Sequence, residues 1–228
     1  MRFGRCLDLM TAENPYDKVW KDNEERYASA IPVCMDALVK TNKNLVMLEL
    51  GSGDGRVAFE MAKVGHDVAT LEISEAGNQK SKERAENGKV KLQVITGEIF
   101  SALQYPDQHF NLVFSLQALN HNTKEKIQRA FQEVYRVLKP GGTFILKIAN
   151  WDTFDLKKVQ DDIYVDNLSG DHIKMVSSQT YIPVSGYEKG ITHYAFLEDE
   201  LRQAIEETGF SIKRLDKDGW HFTVEANR

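Results

Sequence analysis

A glycine-rich segment of the chain, Glu49–Gly55, has the residue types that bind a nucleotide-like ligand. It follows an apolar run, Leu45–Leu50, that predicts a buried strand. Glycines at such a turn let the backbone press against a ligand, because a Cβ would clash or forbid the required φ and ψ. Dinucleotide binding predicts the spacing G-x-G-x-x-G, and Arg56 stands where its third glycine should fall. The segment predicts a ligand-binding loop outside the nicotinamide pattern, and a turn that serves only the fold is the alternative.

Glu72 stands near the end of a second apolar run, 67–73, about 20 residues after the glycine-rich loop. At this spacing a carboxylate recognises the ribose in nucleotide-binding sheets. A carboxylate can accept hydrogen bonds from both vicinal ribose hydroxyls, and it would repel a cofactor that carries a 2′-phosphate. A solvated charge at a strand end is the alternative interpretation.

His121 is the best placed candidate for a catalytic base, because it follows the fourth apolar run of the chain, 110–116. The unperturbed pKa of a histidine, about 6.5, suits proton transfer at neutral pH. His193 is a second candidate, and the pair Asp171–His172 is a weaker one. The alternative for each is an ordinary loop histidine that is hydrogen-bonded to the backbone.

The elements that must position these side chains alternate between short apolar runs and helical patterns. Strands are predicted over 45–50, 67–73, 90–96, 110–116 and 143–149, and helices over 54–64, 74–88 and 123–138. Right-handed β-α-β crossovers place sequential strands in parallel. The pattern therefore predicts an α/β fold with a doubly wound, mostly parallel sheet and helices on both faces.

The segments on either side of this core predict further elements. Asn14–Pro15 should begin a helix, with a break at Pro32, and the polar stretch after Asn150 interrupts the alternation. Later elements are possible strands at 173–177 and 191–195, a helix over 197–208, and a terminal hairpin that turns at 217–219. We expect one domain over 1–228, with an N-terminal helical lid at 1–44, a cofactor-binding core at 45–150, an insertion over the substrate pocket at 151–195, and a final helix with a β-hairpin at 196–228.

Five motifs in the same order resemble those of the class I S-adenosylmethionine-dependent methyltransferases. They cover about residues 45–149 and comprise the acidic-x-G-x-G-x-G loop at 49–55, Glu72, Gly97–Phe100, Phe110–His121 and Val134–Gly142. The resemblance implies a seven-stranded sheet of order 3-2-1-4-5-7-6 with the last strand antiparallel, which agrees with the terminal hairpin. It also implies that S-adenosylmethionine lies across the carboxyl ends of the first four strands.

The resemblance also implies which residues bind the cofactor. They are Glu49, Gly51, Ser52, Gly53, Glu72, Ile73, Glu98, Ile99, Leu116, Tyr16 and Trp20. Glu98 stands where the family has an acidic residue that reads the adenine amino group. Aromatic faces suit a sulfonium cation and an adenine ring, so Tyr16, Trp20 and Tyr27 would close over the cofactor. A buried stripe of an amphipathic helix is the alternative for these rings.

The composition agrees with one large soluble domain. The chain has 228 residues, a net charge of −5, 42% hydrophobic residues and 28% charged residues, which excludes disordered, collagen-like and membrane classes. A signal peptide and a membrane-spanning run are not expected. Only Cys6 and Cys34 are present, so we expect no disulfide framework, no thiolate metal site and a cytoplasmic location.

Residue types that the sequence lacks at key positions exclude some classes of methyl acceptor. Methylation of a pyrimidine carbon needs a thiolate nucleophile near the fourth strand, and no cysteine occurs after Cys34. Metal-dependent catechol-type enzymes would need carboxylates at the end of that strand, where none stands. We therefore expect metal-independent methyl transfer to an N or O of a small molecule.

Three alternatives stay open from the sequence. One is an enzyme that modifies tRNA or another RNA through a basic patch, which would comprise Lys80, Lys82, Arg84, Lys89 and Lys91. Nucleic acid is disfavoured by the net charge. Another is a sensor or partner subunit that binds S-adenosylmethionine without catalysis. The third is a nicotinamide oxidoreductase, which Arg56 disfavours.

Overall fold

The computed structural model describes residues 14–21 and 31–228, and Cys6 and Tyr27 lie outside these ranges. The helices are α1 Pro15–Lys21, α2 Val33–Thr41, α3 Arg56–Lys63, α4 Glu75–Gly88, α5 Lys124–Val137 and α6 Glu198–Glu207. The strands are β1 Val46–Leu50, β2 Asp67–Glu72, β3 Gln93–Thr96, β4 Phe110–Leu116, β5 Leu138–Ala149, β6 Leu156–Gln160, β7 Ile163–Asp166, β8 His172–Met175, β9 Thr180–Pro183, β10 His193–Tyr194, β11 Ser211–Lys217 and β12 His221–Asn227.

Seven of these strands form the main sheet, in the order β3-β2-β1-β4-β5-β12-β11. Strand β1 pairs in parallel with β2 and β4, and β4 pairs in parallel with β5. Strand β12 is antiparallel to both of its neighbours. The predicted order 3-2-1-4-5-7-6, with the last strand antiparallel, is therefore confirmed.

The centre of the main sheet is buried on both faces, which is why its strands read as continuous apolar runs. On one face, Phe131 and Val134 of α5 pack with Leu48 of β1 in one hydrophobic cluster. On the other face, Met47 packs with Met61 of α3. Burial from both sides fixes the register of β1 and β4, and it thereby fixes the loops that leave their carboxyl ends.

A smaller antiparallel sheet, in the order β10-β9-β8-β7-β6, stands over the carboxyl end of β5. Ile173, Tyr181 and Ala195 pack against Ala149, the last residue of β5. The prediction of only two strands here was wrong, because β6, β7 and β9 were missed and the other two are shorter than expected. Strand β6 is short and mostly exposed, so it lacks the apolar alternation that identifies a strand.

The predicted boundaries of the remaining elements agree with the structure to within a few residues, except that β5 begins at Leu138 instead of Thr143. Pro15 begins α1, and Asn14 Oδ1 accepts a hydrogen bond from the Tyr16 N–H at 3.1 Å. Pro32 is the N-cap residue of α2, so the helical break predicted there agrees with the start of α2 at Val33. The third strand begins at Gln93 instead of Val90, after Lys89 adopts a left-handed φ of 52°. Within the described ranges, we find no helix that is long and apolar enough to cross a membrane.

Candidate active site

A cavity of about 420 Å³ lies between the carboxyl ends of β1, β2 and β4, helix α1 and the small sheet. Every residue predicted from the sequence to bind the cofactor, except Gly53, lines this cavity, and so does His121. The site residues therefore come together from five separate segments. This is the edge at which open α/β sheets hold their ligands, because loops that leave parallel strands converge there.

The glycine-rich loop is closely packed against its neighbours. Gly51 has a φ of +70°, and a Cβ there would lie 2.1 Å from the Cβ of Ala118. Gly53 has a φ of +54°, and a Cβ there would lie 2.0 Å from the ring of Trp20. Both positions therefore require glycine for two reasons, the left-handed backbone and the lack of space.

We expect Gly51→Ala to lower the free energy of unfolding. The loss should exceed the penalty for an alanine with a left-handed backbone by about 1–3 kcal/mol, because the new Cβ also overpacks against Ala118. Gly141→Ala is the matched control, since Gly141 has a φ of +77° and no neighbouring atom within 4 Å of a Cβ. Urea unfolding of both variants measures the difference. Equal losses in the two variants would show that the contact with Ala118 relaxes.

Glu72 connects the glycine-rich loop to the end of β2. Its carboxylate accepts hydrogen bonds from the Gly53 N–H and from the Ser74 N–H, both at 2.8 Å. Burial raises the pKa of Glu72, whereas these backbone hydrogen bonds lower it. Each carboxylate oxygen keeps one further lone pair for a ligand hydroxyl.

Glu49 lies beneath the loop at the end of β1. It is buried, and it accepts a hydrogen bond from the Ala58 N–H in α3 at 3.0 Å. Burial, with a smaller contribution from the charges of Asp54 and Glu72, raises the pKa of Glu49 to about 8, although the hydrogen bond from Ala58 lowers it. The carboxyl group therefore takes up a proton more readily in the folded protein than in water.

Asp54 holds the loop against helix α4, which the sequence did not indicate. Its buried carboxylate accepts hydrogen bonds from the Arg56 guanidinium at 2.8 and 2.9 Å and from the Arg84 guanidinium at 2.8 Å. Two charged partners compensate for the cost of burying this carboxylate. Arg84 is therefore committed to an ion pair, which removes it from the basic patch that an RNA-modifying enzyme would need.

The loop after β3 and the end of β4 form one wall of the cavity. Glu98 accepts a hydrogen bond from the Phe100 N–H at 3.0 Å, so one of its carboxylate oxygens is already fixed. Ile99 and Leu116 are buried side chains of the same wall. This wall combines apolar contact with one carboxylate, which suits a flat heterocycle that carries an amino group.

A cluster of polar side chains lies in the part of the cavity near the small sheet. The Tyr16 hydroxyl donates to the His121 carbonyl at 3.4 Å, and the rings of His121 and His193 are 4.6 Å apart. Glu188 faces both imidazoles, with its oxygens 3.6 Å from His121 Nε2 and 3.1 Å from His193 Nε2. His193 Nδ1 lies 2.9 Å from the carbonyl oxygen of Ile191.

The ionisation of this cluster follows from its surroundings. Burial lowers the pKa of His121, and Glu188 only partly opposes that effect. Burial would raise the pKa of Glu188, yet the two imidazoles that face its carboxylate hold that pKa below the ordinary range. Sequence reasoning missed Glu188, because a single glutamate in a polar loop carries no pattern that distinguishes it.

Comparison with known proteins agrees with this fold. A family model described as "Methyltransferase domain" matches residues 48–146, which run from β1 into β5. The 27-O-demethylrifamycin SV methyltransferase of Amycolatopsis mediterranei is 28% identical over 150 residues, which are 63% of this chain and 54% of that protein. Residues 48–146 therefore match a methyltransferase domain, and the chain is similar to S-adenosylmethionine-dependent methyltransferases. The motif-based resemblance is thereby confirmed.

Two further methyltransferases show how widely the family extends. The sterol 24-C-methyltransferase of Neurospora crassa is 26% identical over 182 residues, 77% of this chain and 42% of that protein. The structure of the Burkholderia thailandensis 1,6-didemethyltoxoflavin-N1-methyltransferase has a TM-score of 0.60 at 15% identity, with 84% of this chain and 75% of that chain covered. At 15% identity, this structural similarity shows a shared fold and nothing about the activity. The chain spans about half the length of the curated relatives it matches.

S-adenosylmethionine is the cofactor of the family, and the toxoflavin enzyme was solved with S-adenosylhomocysteine bound. Two buried polar atoms of the cavity fit such a ligand. Ser52 Oγ and Asn120 Oδ1 have no hydrogen-bond partner among the described residues, although both residues line the cavity. A buried polar group without a partner costs about 1–3 kcal/mol, so a ligand with donors and acceptors would relieve this cost.

Proposed function

We propose that this methyltransferase transfers the methyl group of S-adenosylmethionine to an N or O of a small molecule. The observation that carries the proposal is one continuous cavity, which joins the cofactor-binding loops to the polar cluster around His121. When bound, the cofactor supplies an electrophilic methyl group, which an acceptor lone pair attacks as the S–CH₃ bond breaks and neutral S-adenosylhomocysteine leaves. The protein must then align the acceptor and remove its water.

Within this proposal, the cofactor lies along the carboxyl ends of β1, β2 and β4. Glu72 accepts hydrogen bonds from the ribose hydroxyls through the lone pairs that the backbone leaves free. Glu98 accepts from the adenine amino group, and Ile99 with Leu116 contacts the ring. Tyr16 and Trp20 on α1 close this part of the cavity.

The acceptor then occupies the part of the cavity beneath the small sheet. Its walls there include Tyr16 and His121 on one side and Tyr181 and Ile191 of the small-sheet region on the other. A site enclosed in this way fits a small molecule better than a folded RNA. By their names, the relatives reported above methylate an O, a C and an N1 atom, so they do not favour one acceptor element. Our proposal of an N or O acceptor therefore rests on the polar cluster around His121.

Methyl transfer from isotopically labelled S-adenosylmethionine to a metabolite extract tests this proposal. We expect the label to appear in a small organic product when the wild-type protein is present. Glu72→Gln should reduce the labelling, because it weakens cofactor binding. Cofactor binding without labelled product across a broad acceptor panel would instead indicate a sensor or a non-catalytic partner subunit.

A further inference from the structure

We propose that His121, Glu188 and His193 form a binding site for a divalent transition-metal ion beside the acceptor pocket. Each residue offers one ligand atom, and these atoms all lie within 4.8 Å of one another. The ligands come from three places in the fold: the loop after β4, the loop between β9 and β10, and β10 itself. All three side chains line the cavity.

The distances from the Glu188 carboxylate to the two imidazoles are close to those between ligands of one metal ion. Zinc binds imidazole nitrogen and carboxylate oxygen at about 2.0–2.2 Å, which places neighbouring ligand atoms about 3.0–3.5 Å apart. Glu188 Oε2 lies 3.1 Å from His193 Nε2, and Glu188 Oε1 lies 3.6 Å from His121 Nε2. Small side-chain adjustments would bring all three ligands into bonding distance.

The tautomer of His193 points to a cation. The carbonyl oxygen of Ile191 can only accept a hydrogen bond, so His193 Nδ1 carries the proton at 2.9 Å. In a neutral imidazole, Nε2 then presents a lone pair to the Glu188 carboxylate. Two lone pairs at 3.1 Å repel each other unless a positive charge lies between them. Metal-ligating histidines typically donate their other ring N–H to a carbonyl or carboxylate in this way.

A metal ion explains more of the cluster than a proton does. A proton shared between His193 and Glu188 would satisfy that contact alone. The 3.6 Å separation between His121 Nε2 and Glu188 Oε1 is too long for a hydrogen bond, so His121 would gain nothing. A metal ion bonds to all three side chains at once.

The chemical types of the three ligands indicate which metal ion would bind and how it would affect the acceptor. Two imidazoles with one carboxylate suit Zn²⁺ or another first-row transition metal rather than Mg²⁺. Three protein ligands leave at least one position open to the cavity, where an acceptor hydroxyl or amine could bind and lose its proton more readily. This consequence rests on the proposed function, whereas the metal site does not.

The proposal replaces two expectations from the sequence, a metal-independent site and His121 as a base. A coordinated His121 has no free lone pair at its metal-bound nitrogen with which to take a proton. Coordination therefore assigns His121 the role of a metal ligand, and the metal ion then favours deprotonation of the acceptor.

Calorimetric titration with ZnCl₂ tests the site in untagged, chelator-treated protein without cofactor or acceptor. We expect one equivalent of Zn²⁺ per chain and an affinity that falls at least about 10-fold in His193→Ala and in Glu188→Gln. His172→Ala is the matched control, because His172 is an exposed imidazole on the same small sheet. The titration is repeated in Cys6→Ser/Cys34→Ser, which removes both thiols as competing ligands.

Two results would overturn the proposal: no Zn²⁺ binding by the wild-type protein, or equal affinity in the wild type, His193→Ala and Glu188→Gln. The wild type is also heated with and without ZnCl₂, which tests the site independently of any variant's folding. Binding to the folded state must raise its melting temperature. A parallel titration of the metal-free protein with S-adenosylhomocysteine reports on the proposed function separately, since either ligand can bind when the other does not.

Discussion

Glu49→Gln should stabilise the cofactor-free protein increasingly as the pH rises from 4.5 to about 8. Burial raises the pKa of Glu49 across this range, so the charged form is disfavoured in the folded state. The protonated carboxyl supports folding fully below pH 4.5, and this contribution is lost as the pH rises through the folded pKa. Each pKa unit corresponds to about 1.4 kcal/mol, so the variant should gain about 4 kcal/mol over the wild type by pH 8.

Urea unfolding of both proteins between pH 5 and pH 8 measures this difference. Glutamine keeps a carbonyl oxygen that can accept the Ala58 N–H, so the hydrogen bond survives the substitution. Glu60→Gln is the control, because it removes the same charge from an exposed position on α3. A stability difference between Glu49→Gln and the wild type that does not grow with pH would contradict the prediction.

Glu72→Gln should raise the Kd of S-adenosylhomocysteine about 10- to 100-fold. The substitution replaces one acceptor oxygen by an NH₂ group, while the Gly53 N–H and the Ser74 N–H both need acceptors. The ribose hydroxyls of the proposed complex need acceptors as well. Hydrogen bonds to charged groups contribute about 1.5–3 kcal/mol, which corresponds to this loss of affinity.

Calorimetric titration of the wild type and the variant gives the two dissociation constants. Glu75→Gln is the charge-matched control, since Glu75 is exposed at the start of α4, three residues further on. Thermal unfolding shows whether the variant still folds. An unchanged affinity in a folded Glu72→Gln protein would mean that the ribose is held elsewhere.

The main sheet and the cofactor-binding loops could be predicted because their signals are local. Strand β1 is a continuous apolar run that ends at glycines, and burial on both faces produces that pattern. Helix α4 begins at Glu75, within one residue of the start of the predicted helix 74–88, and Ser74 caps it through a hydrogen bond from the Gly77 N–H. Glu72 was found by its spacing from the loop, by its position at the end of β2 and by the family resemblance.

The acceptor side of the cavity could not be predicted from local signals. Strands of the small sheet are short and packed on one face only, so they show little periodicity. Glu188 meets His121 and His193 only after the small sheet folds over β5. Asp54 and Arg84 likewise meet across 30 residues of sequence. Such contacts depend on tertiary packing, which cannot be derived from the composition or the residue spacing of a single sequence.

The most direct test of the methyltransferase assignment is calorimetric titration of the wild-type protein with S-adenosylhomocysteine and, separately, with NADH. We expect one equivalent of S-adenosylhomocysteine to bind and NADH to show no saturable binding, because the loop has Arg56 where the nicotinamide pattern requires glycine. Saturable binding of NADH together with no binding of S-adenosylhomocysteine or S-adenosylmethionine would contradict the assignment.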